Sequence, residues 1–310
     1  TYNICSIWFN NICGYKMDTE ETQMSKGYIV IAQNNDTVDY LEQAYALALN
    51  LKLTQGTISS LTVCVDAKTK ALIQPKHKRV FDYIIDIPWE DHAADAQWKI
   101  NNKWKYYYMS PYEETVILDT DMIFPFDVSH WWDHLTTRDV WACTNVKTYR
   151  DELAVDMHYR LDMKRNKMPN VYTAFFYFKK SDLASELFKM IQIIFENWER
   201  FYFKYMPKGK PDWLSADVAF SLAIQLLGIE DECTMDHITD LPTFVHMKSF
   251  IQDVPSGSFL DEKWTLSVPT YFNDIKTFKI GNFQQQYPFH YVDKDWLTDD
   301  IIKSLENEIT

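Results

Sequence analysis

Glycine is scarce in this chain of 310 residues, which contains only seven. No two of the seven have the spacing of G-x-G-x-x-G or G-x-x-x-x-G-K-[ST], the loops whose backbone N–H groups hold phosphates. The sequence therefore excludes a glycine-rich phosphate loop. A nucleotide ligand would have to be held by a metal ion or by a few basic side chains.

Long apolar runs and paired cysteines are also missing. No apolar run approaches the roughly 18 residues of a membrane span, so we expect no stable membrane insertion. Residues 1–24 lack the basic start and apolar stretch of a signal peptide, and we interpret them as an N-terminal extension before a single domain over 25–310. The five cysteines form no C-x-x-C pair, which favours a reducing, cytoplasmic location.

Positive charge is in deficit as well. The formal net charge is −13, which provides no bulk electrostatic attraction to nucleic acid or anionic lipid. Local basic strips remain that would serve such a partner. They are Lys76, Lys78 and Arg79 in the first half, and Lys164, Arg165 and Lys167 in the second.

The residues that are present predict a globular α/β fold. Hydrophobic residues make up 46% of the chain, enough for a substantial core, and apolar runs alternate with helical patterns from residue 27 onward. We predict a mostly parallel sheet flanked by helices, with a loop-rich C-terminal half that closes the active site. The predicted strands are 28–32, 61–66, 80–85, 115–118, 140–143, 174–178 and 243–246. The predicted helices are 38–52, 94–108, 182–200, 214–227 and 297–308.

Asp119 and Asp121 form the most informative motif, a D-x-D directly after the predicted strand 115–118. In extended chain, residues i and i+2 point the same way, so both carboxylates can converge on one cation. Oxygen ligands of this kind suit Mg²⁺ or Mn²⁺, which also bind substrate phosphates. A chance D-x-D on an acidic surface is the alternative, but apolar Met122, Ile123 and Phe124 follow the motif and favour a site.

The segment ETVILDTDMI, residues 114–123, resembles the D-x-D segment of nucleotide-sugar-dependent glycosyltransferases with the GT-A fold, and is closest to the glycogenin-like, retaining branch. The resemblance implies a Rossmann-like sheet and a nucleoside-diphosphate sugar donor, most simply a UDP-sugar. Lys103 matches a lysine that reaches the sugar nucleotide, and Tyr112 matches an aromatic position before the strand. Asp217 matches an acidic residue that opens a later helix on the side of the reacting sugar.

The same resemblance implies a third metal ligand, a histidine near the C-terminus followed by lysine, proline and tryptophan. His290 fits this position in FHYVDKDW, residues 289–296, and Lys294 is the lysine, although Asp295 replaces the proline. His246 is the competing ligand, but its place inside a predicted strand favours an ordinary core histidine.

Further candidate residues end or follow the predicted strands, at the carboxyl edge where sheets of this kind bind ligands. We expect them to contact the base, ribose and phosphates of the donor. They are Ala32, Gln33, Asn34, Asn35, Asp66 and Thr120.

The sequence thus predicts a metal-dependent glycosyltransferase, a hexosyl- or pentosyltransferase, in which Asp217 and Lys103 are the catalytic candidates. Each has a plainer alternative: a helix N-terminal charge for Asp217, and a solvated helix face shared with Lys99 for Lys103. The acceptor is a glycan, a small molecule or a modified, hydroxymethylated DNA base. The last option follows from a resemblance to viral and phage transferases, for which the location is the host cytoplasm. Two rival functions stay open: a nucleotidyltransferase that uses the paired aspartates, and a non-enzymatic acidic binding protein with a structural cation.

Overall fold

The fold is that of a computed structural model of the chain, which describes residues 26–96, 99–154, 159–234, 243–246, 270–272, 278–280, 283–291 and 297–309. The predicted N-terminal extension, 1–24, lies outside these residues. None of the helices in the described part of the chain combines the length and the apolar character of a membrane span.

Strands and helices alternate through the first half and are less regular in the second. The strands are β1 Lys26–Ala32, β2 Leu61–Val65, β3 Tyr83–Asp86, β4 Glu114–Leu118, β5 Met122–Ile123, β6 Val140–Ala142, β7 Asn145–Lys147, β8 Phe175–Lys179, β9 Thr243–His246, β10 Thr270–Phe272, β11 Phe278–Ile280, β12 Phe283–Gln284 and β13 Phe289–His290. The helices are α1 Tyr40–Thr54, α2 Ala67–Lys70, α3 Pro75–Val80, α4 Tyr106–Met109, α5 Trp131–Leu135, α6 Tyr159–Arg165, α7 Asp182–Glu196, α8 Trp198–Tyr205, α9 Ala216–Leu227, α10 Glu230–Cys233 and α11 Asp299–Ile309.

A six-stranded sheet forms the centre, in the order β3-β2-β1-β4-β8-β6. The first four strands in this order are parallel, and β8 runs antiparallel to both β4 and β6. This mostly parallel sheet with flanking helices confirms the predicted α/β class. Because β1 and β4 are neighbours, their carboxyl ends meet at the middle of one sheet edge.

Both faces of this sheet are buried, which explains why its strands are continuous apolar runs. On β4, Val116 and Leu118 belong to the core cluster that includes α1, whereas Ile117 belongs to the cluster that includes α7 and α9. On β8, Phe175 and Phe176 divide between the same two clusters. The sheet is therefore the middle layer of three.

A second sheet brings the C-terminal part of the chain back to the end of β4. Its order is β5-β13-β9-β7, with β13 antiparallel to β5 and parallel to β9. In this pairing His290 stands opposite Met122, the residue that directly follows the D-x-D motif. A further antiparallel sheet joins β10, β11 and β12.

Gly27 makes room for the aromatic ring of Tyr112 against the sheet. A Cβ atom added to Gly27 on β1 would lie 2.4 Å from the ring of Tyr112. The Tyr112 hydroxyl accepts a hydrogen bond from the Thr62 hydroxyl on β2 at 2.9 Å. Tyr112 therefore packs across β1, and this close approach requires glycine at residue 27.

The predicted helix over 94–108 is wrong. In the described part of that range the chain forms turns, a short 3-10 segment over Lys103–Lys105 and then α4. Asn101 donates to the backbone carbonyl of His92, and Lys99 donates to those of Ala93 and Ala94, both at 2.8 Å. Such bonds from side chains to nearby backbone compete with the helical pattern. Lys99 and Lys103 consequently do not share a helix face.

The bounds of one helix and one strand also differ from those predicted. The helix predicted over 182–200 ends at Glu196, because Asn197 leaves the helical conformation, and the chain restarts as α8. The strand predicted over 80–85 begins only at Tyr83, after α3, which has a proline in its first turn.

Candidate metal centre

The end of β4 and the start of β5 position the two aspartates. Thr120, between them, donates from its hydroxyl to Gln43 on α1 at 3.1 Å. The backbone N–H of Tyr291 donates to the carbonyl of Asp121 at 3.1 Å. The link between the motif and the C-terminal strand is therefore made by the backbone as well as by side chains.

Asp119, Asp121 and His290 converge on one point. Each offers one ligand atom, and the three atoms lie within 4.8 Å of one another. His290 Nε2 lies 2.7 Å from Asp121 Oδ2, and both side chains are about nine-tenths buried. Two carboxylates and one imidazole suit Mn²⁺ or Mg²⁺ with open positions for phosphate oxygens. The residues present therefore fit a divalent cation.

Lys103 contributes a positive charge at the same place. Its ammonium lies 2.5 Å from Asp119 Oδ1, and only 8% of the residue is exposed. The 3-10 segment that replaces the predicted helix carries this side chain towards the sheet edge. The resemblance selected Lys103 as a residue that reaches the sugar nucleotide, and the structure places its ammonium beside Asp119, on a 3-10 segment and not on the predicted helix.

The second nitrogen of His290 faces Tyr172, whose hydroxyl contacts His290 Nδ1. Burial raises the pKa of Tyr172 well above its usual value, and the negative charges of Asp119 and Asp217 raise it further. Tyr172 therefore stays a neutral phenol at physiological pH. It is able to donate or to accept a hydrogen bond at the imidazole.

Asp217 lies in the first turn of α9 and is 5% exposed. Its Oδ1 accepts hydrogen bonds from the Thr173 N–H at 2.9 Å and the Thr173 hydroxyl at 2.6 Å. Its Oδ2 accepts from the Tyr159 hydroxyl at 2.7 Å and from Arg160 Nη2 at 3.1 Å. The carboxylate is thus held by four donors, one of them charged.

The ends of β1 and β2 lie together at the carboxyl edge of the sheet, as predicted. Asn34 Oδ1 accepts from the Leu41 N–H at 2.9 Å, and Asn35 Oδ1 accepts from the Val38 N–H at 2.7 Å. Asp66 caps α2 by accepting from the Thr69 N–H at 2.8 Å. These side chains shape the loops at this edge, beside the buried Ala32 and Gln33.

A polar cluster that sequence reasoning missed surrounds Gln33. Asp91 accepts from Gln33 Nε2 at 3.0 Å and from Asn102 Nδ2 at 2.6 Å. Burial alone would raise the pKa of Asp91, but hydrogen bonds from Asn102, the Ala93 N–H and Gln33 outweigh it and lower the pKa. Asn102 directly precedes Lys103, so this cluster fixes the segment that carries the lysine.

Two further missed residues, Tyr172 and Arg160, hold the groups around the metal ligands. Tyr172 precedes the predicted strand 174–178, and this position was its only signal. Arg160 had none, because it lies in an irregular region of the sequence. Of the remaining predicted residues, Lys294 lies outside the described part of the chain. His246 stands in β9 in register with His290, and its side chain lies outside the described part too.

No protein-family model matches this sequence, and no curated protein is significantly similar to it. Two glycosyltransferases are among the solved structures that resemble the fold. Mouse xyloside xylosyltransferase 1, in its apo form, has a TM-score of 0.46 and 9% identity, over 86% of this chain and 97% of its own. The glycosyltransferase GlyE from Streptococcus pneumoniae TIGR4 has a TM-score of 0.40 and 9% identity, over 68% of this chain and 45% of its own. The chain thus spans less than half of GlyE. Both TM-scores are below 0.5, so a function has to be argued from the residues of the site and not from these similarities.

Proposed function

We propose that the protein is a metal-dependent glycosyltransferase that moves a sugar from a nucleoside-diphosphate sugar, most simply a UDP-sugar, to an acceptor hydroxyl. The observation that carries this proposal is the convergence of Asp119, Asp121 and His290 at the carboxyl edge of a mostly parallel sheet. That edge is where sheets of this kind bind nucleotides. A cation there replaces the glycine-rich loop that the sequence lacks.

Each residue has a distinct part in the proposed reaction. Asp119, Asp121 and His290 would hold Mn²⁺ or Mg²⁺, which supplies Lewis-acid stabilisation of the departing diphosphate. Lys103, beside Asp119, adds a second positive charge for the same oxygens. Asp217 would lie on the side of the reacting sugar, and Arg160 balances its negative charge. Retention of the anomeric configuration follows from the resemblance to the glycogenin-like branch.

The composition of the site favours a transferase over the two rival functions. A two-metal nucleotidyltransferase needs carboxylates to hold both ions. In the described ranges the cluster supplies two aspartates and a histidine. If the cation were purely structural, the buried ammonium of Lys103 beside its ligand Asp119 would have no role. If the cation binds a diphosphate, the ammonium has a role, because it can bind the same phosphate oxygens.

A thermal-shift panel of nucleoside diphosphates and nucleotide sugars, with and without Mn²⁺, tests the proposal. A ligand that binds only the native state raises the Tm, by roughly 5 °C for about a hundred-fold excess over Kd. We expect one nucleotide sugar to raise the Tm with Mn²⁺ and to lose most of the shift with EDTA. Slow release of diphosphate from the same donor would then identify transfer to water. The absence of a Mn²⁺-dependent shift across the panel would contradict the proposal.

For the acceptor, we propose a polyanion such as modified DNA, because basic side chains from two segments gather on one surface. Asn166 donates to the Gly209 carbonyl at 2.8 Å and accepts from the Lys208 N–H at 3.1 Å. This contact places the strip at 164–167 against the loop that carries Lys208 and Lys210. The Lys210 ammonium lies 5.7 Å from the ring centroid of Phe203, which is 79% exposed. Cations beside exposed aromatic rings suit phosphates and bases.

Salt dependence of DNA binding tests this acceptor. We expect the protein to bind DNA at low salt, with an affinity that falls linearly on a log–log plot against salt concentration. The triple variant K164E/R165E/K167E should weaken binding at least ten-fold, while the variant K76E/K78E/R79E makes the same change of charge on α3 and should change it little. Fluorescence anisotropy measures both, and no binding at low salt would remove DNA as the acceptor.

A further inference from the structure

His290 has two ring nitrogens with different neighbours. Nε2 faces Asp121, whereas Nδ1 faces the Tyr172 hydroxyl. Only Nε2 is placed to join the two aspartates as a ligand. A histidine binds a metal through a nitrogen without a proton, so a bound cation requires the ring proton on Nδ1.

We propose that Tyr172 is a positioning residue that fixes the ring of His290 and keeps its proton on Nδ1 when the cation binds. The inference rests on the metal site of the proposed function. In the metal-bound protein, the Nδ1–H would donate to the Tyr172 oxygen. A hydroxyl is suited to this position because it can also donate to Nδ1 when the proton is on Nε2 and the cation is absent.

The packing around Tyr172 explains how it holds a fixed orientation. The residue is 2% exposed, and the guanidinium of Arg160 lies 5.0 Å from its ring centroid. Asp217 binds this guanidinium with Oδ2 and holds the backbone of Thr173, the next residue, with Oδ1. Asp217 therefore secures Tyr172 both through the neighbouring peptide and through the cation that lies over its ring.

This arrangement links the sugar-side carboxylate to the metal ligands through a continuous set of contacts. The order is Asp217, Arg160, Tyr172, His290 and Asp121. Groups that orient a metal-bound histidine through its second nitrogen typically change metal affinity 10–100-fold when they are removed. Tyr172 is the member of this set that contacts the metal ligand His290 and has no proposed role in binding the donor.

The direct test is the Mn²⁺ affinity of Tyr172→Phe, measured by electron paramagnetic resonance of free Mn²⁺ in the absence of nucleotide. We expect Kd for Mn²⁺ to rise at least about ten-fold. Tyr28→Phe is the matched control, because Tyr28 is equally buried and loses one hydrogen bond, from Trp132 Nε1 at 3.1 Å, in the core. The control should bind Mn²⁺ as the wild type does. Equal affinity in Tyr172→Phe would overturn the inference while leaving the metal site intact.

A second measurement uses wild-type protein and does not depend on whether Tyr172→Phe folds. In wild-type protein labelled with ¹⁵N-histidine and saturated with Mg²⁺, nuclear magnetic resonance identifies which nitrogen of His290 carries the proton, with His290→Gln to assign its signals. We expect the Nδ1–H form with Mg²⁺. The Nε2–H form at saturation would overturn the inference. If wild-type protein binds neither Mn²⁺ nor Mg²⁺, the proposed function fails and this inference fails with it.

Discussion

Replacing Asp119 and Asp121 together by asparagine should abolish Mn²⁺-dependent turnover of the sugar donor while the chain stays folded. Asparagine has nearly the same shape but no charge, so the cation would lose both anionic ligands and keep only His290. Lewis-acid stabilisation of a leaving phosphate contributes several kcal/mol, and each 1.36 kcal/mol is a factor of ten in rate. We therefore expect kcat to fall by about a thousand-fold or more.

Diphosphate release from the donor measures this loss, with Tm as the test of folding. Asp299→Asn with Asp300→Asn is the matched control, since it removes the same two charges from an exposed site at the start of α11. The control should retain wild-type turnover. If the D119N/D121N variant still turned over the donor in EDTA, the metal-dependent mechanism would be wrong.

The central sheet and the D-x-D were predictable because their signals are local. Val116, Ile117 and Leu118 form a continuous apolar run, and such runs indicate strands buried on both faces. The carboxylates that follow are placed by the strand itself. These features need no knowledge of distant residues, and the structure confirms the α/β class on which they depend.

The rest of the site depends on pairing between distant segments. His290 reaches Asp121 because β13 pairs with β5, and no pattern within either two-residue strand specifies that partner. The resemblance supplied His290 as a ligand, and without it the sequence offered only the argument that His246, the competing ligand, lies inside a predicted strand. The 3-10 segment at Lys103 escaped prediction for a different reason. Its helical pattern is overridden by the hydrogen bonds of Lys99 and Asn101 to nearby backbone carbonyls, and the distant Gln33 then holds Asn102.

Replacing Arg160 by methionine should cause a large loss of stability. Arg160 and Asp217 are both about nineteen-twentieths buried, and their charges face each other at 3.1 Å. Breaking a buried pair by removing one partner leaves an uncompensated charge, which typically costs about 3–5 kcal/mol of the free energy of unfolding. Urea unfolding of Arg160→Met measures this loss. Lys70→Met is the control, because its pair with Asp86 is exposed and contributes about 0–1 kcal/mol.

Removing both charges should restore only part of the lost stability. In general, hydrophobic replacement of a whole buried pair is often neutral, because neither charge then remains without a partner. Here Asp217 also accepts from Thr173 and Tyr159, so Arg160→Met with Asp217→Leu would remove the acceptor of the buried Thr173 N–H and one acceptor of the Tyr159 hydroxyl. We expect the double variant to lie between Arg160→Met and the wild type in urea midpoint. Full recovery would mean that the carboxylate serves only the arginine, and it would remove Asp217 as the group that secures Thr173 and, through it, Tyr172.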